Sequence, residues 1–177
     1  MAYHFLDSKL DRAIVAYLLV EGAGSHDNCY PALRLLGKTL PNITVHTTDL
    51  NIPDGDAFSG SRVADVEVTI NQSPIAEAPA DDSAAITAAT ALRQQFNDLI
   101  GGVCDALNKY GQSSDLLCDA INEAAHDVAA ADPDNSDLAD FAIYGIEPRG
   151  ESQGFTQDAI WQKTFRLRCY VTAQTSA

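Results

Sequence analysis

Carboxylates, histidines and cysteines are the side chains here that could ligate a metal, move a proton or attack a carbonyl, and spacing decides which of these is open to them. DLNIPDGD at 49–56 has some of the acidic rhythm of a calcium loop. Such a loop needs an oxygen ligand at its fifth position, a turn glycine at its sixth and a bidentate glutamate at its twelfth. Pro53, Asp54 and Gly60 stand at those positions, so no calcium site is expected. EGAGSHD at 21–27 holds a Gly-x-Gly, but it follows a helical pattern and lacks the third glycine and the preceding strand of a phosphate cradle. His26 and Cys29 are three residues apart and could share a metal, yet no second pair of ligands is close in sequence. Cys118 and His126 share a predicted helix at a separation of eight, too far apart for one ion. His46 falls on the polar phase of a strand and His4 near the N-terminus, which makes both solvated imidazoles. A nucleophile elbow, a zinc signature and a paired-carboxylate motif are all absent from the sequence. The reading is therefore a protein with no catalytic residue, no metal ligand and no cofactor.

What must be positioned is instead a surface. The 177 residues fit one domain, taken as spanning 1–177, and 46% hydrophobic with 20% charged residues is ordinary globular composition. A chain of this length buries roughly 70% of its unfolded surface, so it needs neither disulfides nor a structural metal. Twenty-five Asp and Glu against eleven Lys and Arg give a net charge of −14. Gripping DNA requires phosphates to be neutralised by Lys or Arg, and the sequence has no basic cluster to do it. A surface that DNA slides past without adhering suits this sign of charge. No apolar run reaches the roughly 18–20 residues that span a bilayer, and MAYHFLDSKLD lacks the basic and apolar regions of a signal peptide. Membrane association is not expected, and folding in a cytoplasm is. The four cysteines are scattered without a C-x-x-C pair, and so read as buried, reduced thiols.

Hydrophobic periodicity then lays out the elements. Leu10, Ile14, Tyr17 and Leu18 recur at helical spacing after Asp7 or Ser8 as N-cap, predicting a helix over 8–20. Residues 21–41 follow as a connection with room for a short helix around 31–37. Ile43, Val45 and Thr47 alternate with polar residues, and residues 62–71 alternate more strictly still, so the two read as an antiparallel pair joined by an extended loop. A long helix is predicted over 83–108, its stripe running Ala85, Ala89, Leu92, Phe96, Leu99 and Val103, with Gly101 and Gly102 weakening or bending it near its end. A further helix runs to about 130, then an acidic loop, a strand at 139–147, a turn-rich connection EPRGESQGFTQD and a strand at 159–172. Grouping of strands and helices in this order predicts an α+β fold: a mostly four-stranded antiparallel sheet, a long helix and further helices on one face, and extended loops.

Three connections, 21–41, 49–61 and 71–82, approach or exceed the length at which structureless loops become uncommon. They retain Tyr30 and Leu33, Ile52 and Phe58, and Ile75, which marks them as docking arms. Arg166 and Arg168, on the polar phase of the last strand, are placed to meet the acidic surface of a neighbour. Together these residues form the predicted assembly interface.

The opening helix DSKLDRAIVAYLL, the lead LPNITVHT, the strand RVADVEVTIN, the helix ITAATALRQQFNDLIGGVCDAL and the closing strand IWQKTFRLRCYVT together resemble the tail-terminator and tail-completion (neck) proteins of tailed bacteriophages. The likeness is one of element order and texture over most of the chain. The helix SSDLLCDAINEAAHDVAAA is longer than compact members of that family need. What the resemblance implies is a structural virion protein: a ring of identical subunits, hexameric in most cases, on the head-proximal end of the tail tube. Its partners would be further copies of itself, the tube protein and the head connector, with phage DNA passing an acidic lumen unbound. A ring of this kind requires a heterologous interface that closes. The competing readings are a head-side neck or tube subunit and, in another class, a small cytoplasmic enzyme or binding protein with a deep polar pocket.

Overall fold

Strict alternation makes β3 (Ser61–Gln72) the axis of the sheet: Arg62, Ala64, Val66, Val68, Ile70 and Gln72 are buried and the residues between them half-buried. β2 (Asn42–Asn51) pairs antiparallel on one side, with Val45 opposite Val68, and β5 (Trp161–Ala173) on the other, with Phe165 opposite Val68. β4 (Phe141–Phe155) pairs antiparallel with β5 at one edge, and β1 (Cys29–Pro31) lies parallel to β2 at the other, giving the order β1-β2-β3-β5-β4. This computed structural model describes residues 6–31, 40–51, 61–73, 81–111, 113–156 and 160–173.

The fold is α+β, but the sheet is mixed and five-stranded where a mostly four-stranded antiparallel one was expected. β1 is three residues long, too short to show a period, and lies in a stretch that reads as connection. The strand predicted at 139–147 also continues to Phe155. EPRGESQGF reads as turn because it is polar and carries Pro148 and two glycines, yet it pairs with β5 as far as Phe155 opposite Trp161. Bulges at Ile143/Gly145 and Pro148/Gly150 absorb the irregularity, and Gly150 supplies the φ of +123° that an L side chain rarely adopts.

Among the described residues three α-helices supply the second layer. α1 (Leu6–Val20) lies on β1 and β2, and Leu10, Ile14 and Leu18 are fully buried. α3 (Ser114–Ala131) lies on β4 and is tied to its backbone. Asn122 donates to the Ile143 carbonyl and accepts from the Ile143 N–H, both at 2.8 Å, while Ser114 Oγ accepts from the Ile146 N–H at 2.9 Å. The acidic segment after α3 is a 3₁₀ helix (Pro133–Leu138) instead of a loop, and Arg12 clips it to α1 through Asn135 and Asp137.

α2 (Asp82–Asn108) begins where Asp81 Oδ1 accepts from the Ala84 N–H at 2.7 Å, and it continues unbroken through Gly101 and Gly102. A Cβ on Gly102 would lie 3.3 Å from the Ala23 backbone, so this glycine permits a close pass between α2 and the chain after α1. The Tyr17 hydroxyl closes the same junction by donating to the Ala106 carbonyl at 2.6 Å. Of the predicted stripe, only the part from Phe96 onward packs: Phe96, Val103 and Ala106 are the buried residues of this 27-residue helix. Phe96 sits on Trp161, ring centroids 5.9 Å apart, and Trp161 in turn meets Phe155 at 6.5 Å. The first half of α2 is mostly exposed, with Ala85, Ala88 and Leu92 half-buried, and Gln72 at the end of β3 donates to Gln95 at 2.9 Å.

Two consequences are measurable. Phe96→Ala removes the side chain that anchors α2 to the sheet and should cost about 3–5 kcal/mol of unfolding free energy, read by urea denaturation. Asp11 is 2% exposed on α1, held by a 2.7 Å hydrogen bond from Thr47 Oγ1. Burial pushes its carboxyl up to about 6, against the lowering effect of that hydrogen bond. Between about pH 4 and 6 the folded protein keeps a proton there that the unfolded chain has released. Stability from this group is thus present below that window and lost as pH rises through it, by roughly 2–3 kcal/mol. Asp11→Asn keeps the acceptor for Thr47, so it should be more stable than the parent at pH 8 and lose this part of the pH dependence.

Candidate assembly surfaces

The outer face of the sheet is built as polar rungs. Gln162 donates to Asn71 and Asn71 to Asn42, each at 3.0 Å, and the next rung pairs the Thr69 and Thr164 hydroxyls at 3.2 Å. Beyond them Arg166 meets Glu67 at 3.0 Å, and Arg168 forks onto Asp65 at 2.8 and 3.0 Å. The Arg168 fork holds the Asp65 carboxyl below the usual carboxylate range. Glu147 completes the set, taking a hydrogen bond from Tyr170 at 3.0 Å and an ion pair from Arg149 at 2.9 Å. A shallow depression of about 270 Å³ lies among Arg149, Arg166 and Arg168. Each of these guanidiniums already has a carboxylate of the same chain beside it.

Of the predicted interface residues, Arg166 and Arg168 thus meet acids of their own subunit. Tyr30 lies in β1 and is 4% exposed, covered within the subunit. Leu33, Ile52, Phe58 and Ile75, with the predicted short helix around 31–37, lie outside the described residues, as does most of the calcium-like stretch.

A second surface is electrostatic and was not anticipated. Asp115, Asp119, Glu123 and Asp127 follow one another at i, i+4 along α3, and all four are exposed. Like charges at this spacing repel and weaken the helix that carries them. No ion pair among the described residues engages any of the four. With the 3₁₀ helix and Asp140 included, positions 115–140 hold eight Asp and Glu and no Lys or Arg. The signal was present as a four-residue period, but a search for apolar stripes passes over it.

The third surface is a groove of about 520 Å³ between the α2–α3 turn and the middle of β4. Leu107, Leu117, Ile146, Pro148, Phe165 and Leu167 supply its apolar wall, and Asn108 and Glu151 are among its exposed polar residues. Cys104 also lines it, with a thiol pushed up by burial, which makes it a poor nucleophile. Buried Lys163 holds Glu151 at 2.9 Å. These side chains offer apolar contact with a polar rim; they do not form a nucleophile–base pair.

The sulfur and imidazole groups are dispersed. Cys29, Cys118 and Cys169 are buried free thiols, and burial raises each of them, Cys29 to about 12. His26 is exposed while Cys29 is buried; His46 is exposed on β2; His126 Nε2 lies 3.3 Å from the Phe141 carbonyl. Among the described residues no group of three or more His, Cys, Asp or Glu is placed to hold a metal ion, and no helix is long and apolar enough to cross a membrane. No protein-family model matches the chain, and no curated protein matches it in sequence.

The α3 stripe makes its own prediction. Asp119→Asn with Glu123→Gln should raise the melting temperature in low salt, and the gain should shrink as salt screens the repulsion. A gain that did not depend on salt would point to packing instead of charge.

Proposed function

We propose that this chain is a structural subunit of a bacteriophage tail: it closes into a ring on the head-proximal end of the tail tube, ends tube polymerisation and joins the tail to the head connector. The observation that carries this reading is the exposed carboxylate stripe of α3. A stripe of like charges weakens its own helix, binds no phosphate and gives passing DNA nothing to adhere to. Repeated around a ring, it makes a lumen of one sign. The element order, from opening helix to aromatic closing strand, supports the same reading. On it the protein acts by assembly and not by catalysis, its partners are its own copies, the tube and the connector, and it resides in the virion.

Light scattering after size exclusion, with negative-stain images of the same fractions, tests the proposal directly. Closed rings, or a monomer that forms rings only on tail tubes, are the expected outcome. Open filaments would make it a tube subunit, and a monomer indifferent to tail components would remove the reading. Asp119→Lys with Glu123→Lys should still form rings but should retain duplex DNA at low salt, where the parent does not.

A further inference from the structure

We propose that α1 and the outer end of β2 form a latch worked by pH: protonated Asp11 holds the strand end against the helix, and ionised Asp11 releases it at the bulge between Thr47 and Asp49. The device belongs to the single subunit, so it stands or falls apart from the assembly reading.

Asp11 lies where the two elements touch, and it is buried. Its partner there is neutral: the Thr47 hydroxyl donates to Oδ1 at 2.7 Å. Among the described residues no ion pair reaches it, from Lys9 or from any other cation. A carboxylate so placed has lost water and gained no counter-charge, so ionisation favours any motion that readmits water. The surrounding elements do not supply the missing charge. On α1 itself Asp7 opposes ionisation, and Arg12 is engaged by Asp137 of the 3₁₀ helix, whose Asp134 is exposed. On β2 His46 favours ionisation, but it and Asp49 are both exposed. β1 brings Cys29 and Tyr30, which burial keeps neutral. The carboxylates of α3 are exposed, and His126 lies against the Phe141 carbonyl.

The strand end is the part free to move. α1 is anchored in the core by Leu6, Leu10 and Ile14, and to the 3₁₀ helix by the Arg12 fork on Asp137. That fork holds the Asp137 carboxyl below the usual carboxylate range, so it stays closed while Asp11 titrates. β1 pairs with β2 only from Ile43 to Val45, which among the described residues leaves 48–51 with β3 as their one neighbouring strand. Past Thr47, Leu50 is half-buried and Thr48, Asp49 and Asn51 are exposed. The bulge interrupts the ladder where this segment begins, and Asp49 stands opposite another carboxylate, Asp65. A segment with so few buried contacts opens at low cost.

The direction follows from linkage. Burial lifts the Asp11 carboxyl from 3.8 to about 6 while the latch is closed, and opening returns it to water. Across that interval each pH unit favours the open form about tenfold, which makes about a hundredfold in all. The latch is thus closed in mildly acid solution and loosened at neutral pH and above.

Amide hydrogen exchange read by mass spectrometry between pH 4 and pH 8, corrected for the intrinsic rate, tests the latch. Protection over 48–51 should fall by up to about a hundredfold as pH rises, while protection over 66–70, in the middle of β3, changes far less. The carbon-13 signal of the Asp11 carboxyl should titrate over the same range, with its midpoint near 6. Asp11→Asn should keep 48–51 protected at both ends of the range. Thr47→Val removes a hydrogen bond that favours the ionised form, so it should move the midpoint upward. Exchange over 48–51 that ignores pH, that moves equally with 66–70, or that persists in Asp11→Asn would overturn the latch. An Asp11 signal titrating near 3.8 in the parent would overturn it without any variant.

Discussion

β3 must remove one of its faces from water, and nearly everything else in the subunit follows from how it does so. Six alternate side chains of this strand are buried, which obliges helices to cover that face and strands to flank it on both sides. α1 and α3 answer over the outer strands, and α2 over the end, through Phe96 on Trp161. The opposite phase of β3 can then remain polar. It is satisfied rung by rung, amide to amide, hydroxyl to hydroxyl, carboxylate to guanidinium. One sheet thus has a face that needs covering and a face that is complete in itself.

Net charge describes this molecule less well than its distribution does. The outer sheet face is close to neutral because its arginines and carboxylates are paired within the subunit. α3 and the 3₁₀ helix carry a large part of the −14, and the first half of α2 carries almost none. Such segregation leaves one surface nearly free of charge and another from which polyanions are repelled. Repulsion of polyanions is the property on which the proposed ring around passing DNA relies.

The fold was legible where periodicity was long. β3, β5 and the three helices are visible from apolar spacing alone, and their ends differ by only a few residues. β1 was hidden because three residues have no period. Distal β4 was hidden because its strand conformation is imposed by pairing with β5 and not by its own polar, glycine-containing sequence. For the surfaces the pattern is similar: Arg166 and Arg168 are visible as an outer face, but the acids that occupy them lie about a hundred residues earlier, at Glu67 and Asp65. Local sequence cannot show that pairing. The groove is likewise made from α2, α3, β4 and β5 together, and no single stretch announces it.

α3 also does something for β4 that concerns the crowded conditions of synthesis. Asn122 occupies both backbone groups of Ile143, and Ser114 and His126 sit against Ile146 and Phe141. An open edge strand is a template for cross-β growth, and here its first half is already occupied by side chains of a helix. The second half carries Pro148, a bulge and alternating charges, which frustrate a flat strand partner. The folded chain is therefore guarded against fibrillar association along this edge. Association through side-chain surfaces, whose geometry can close on itself, is left open.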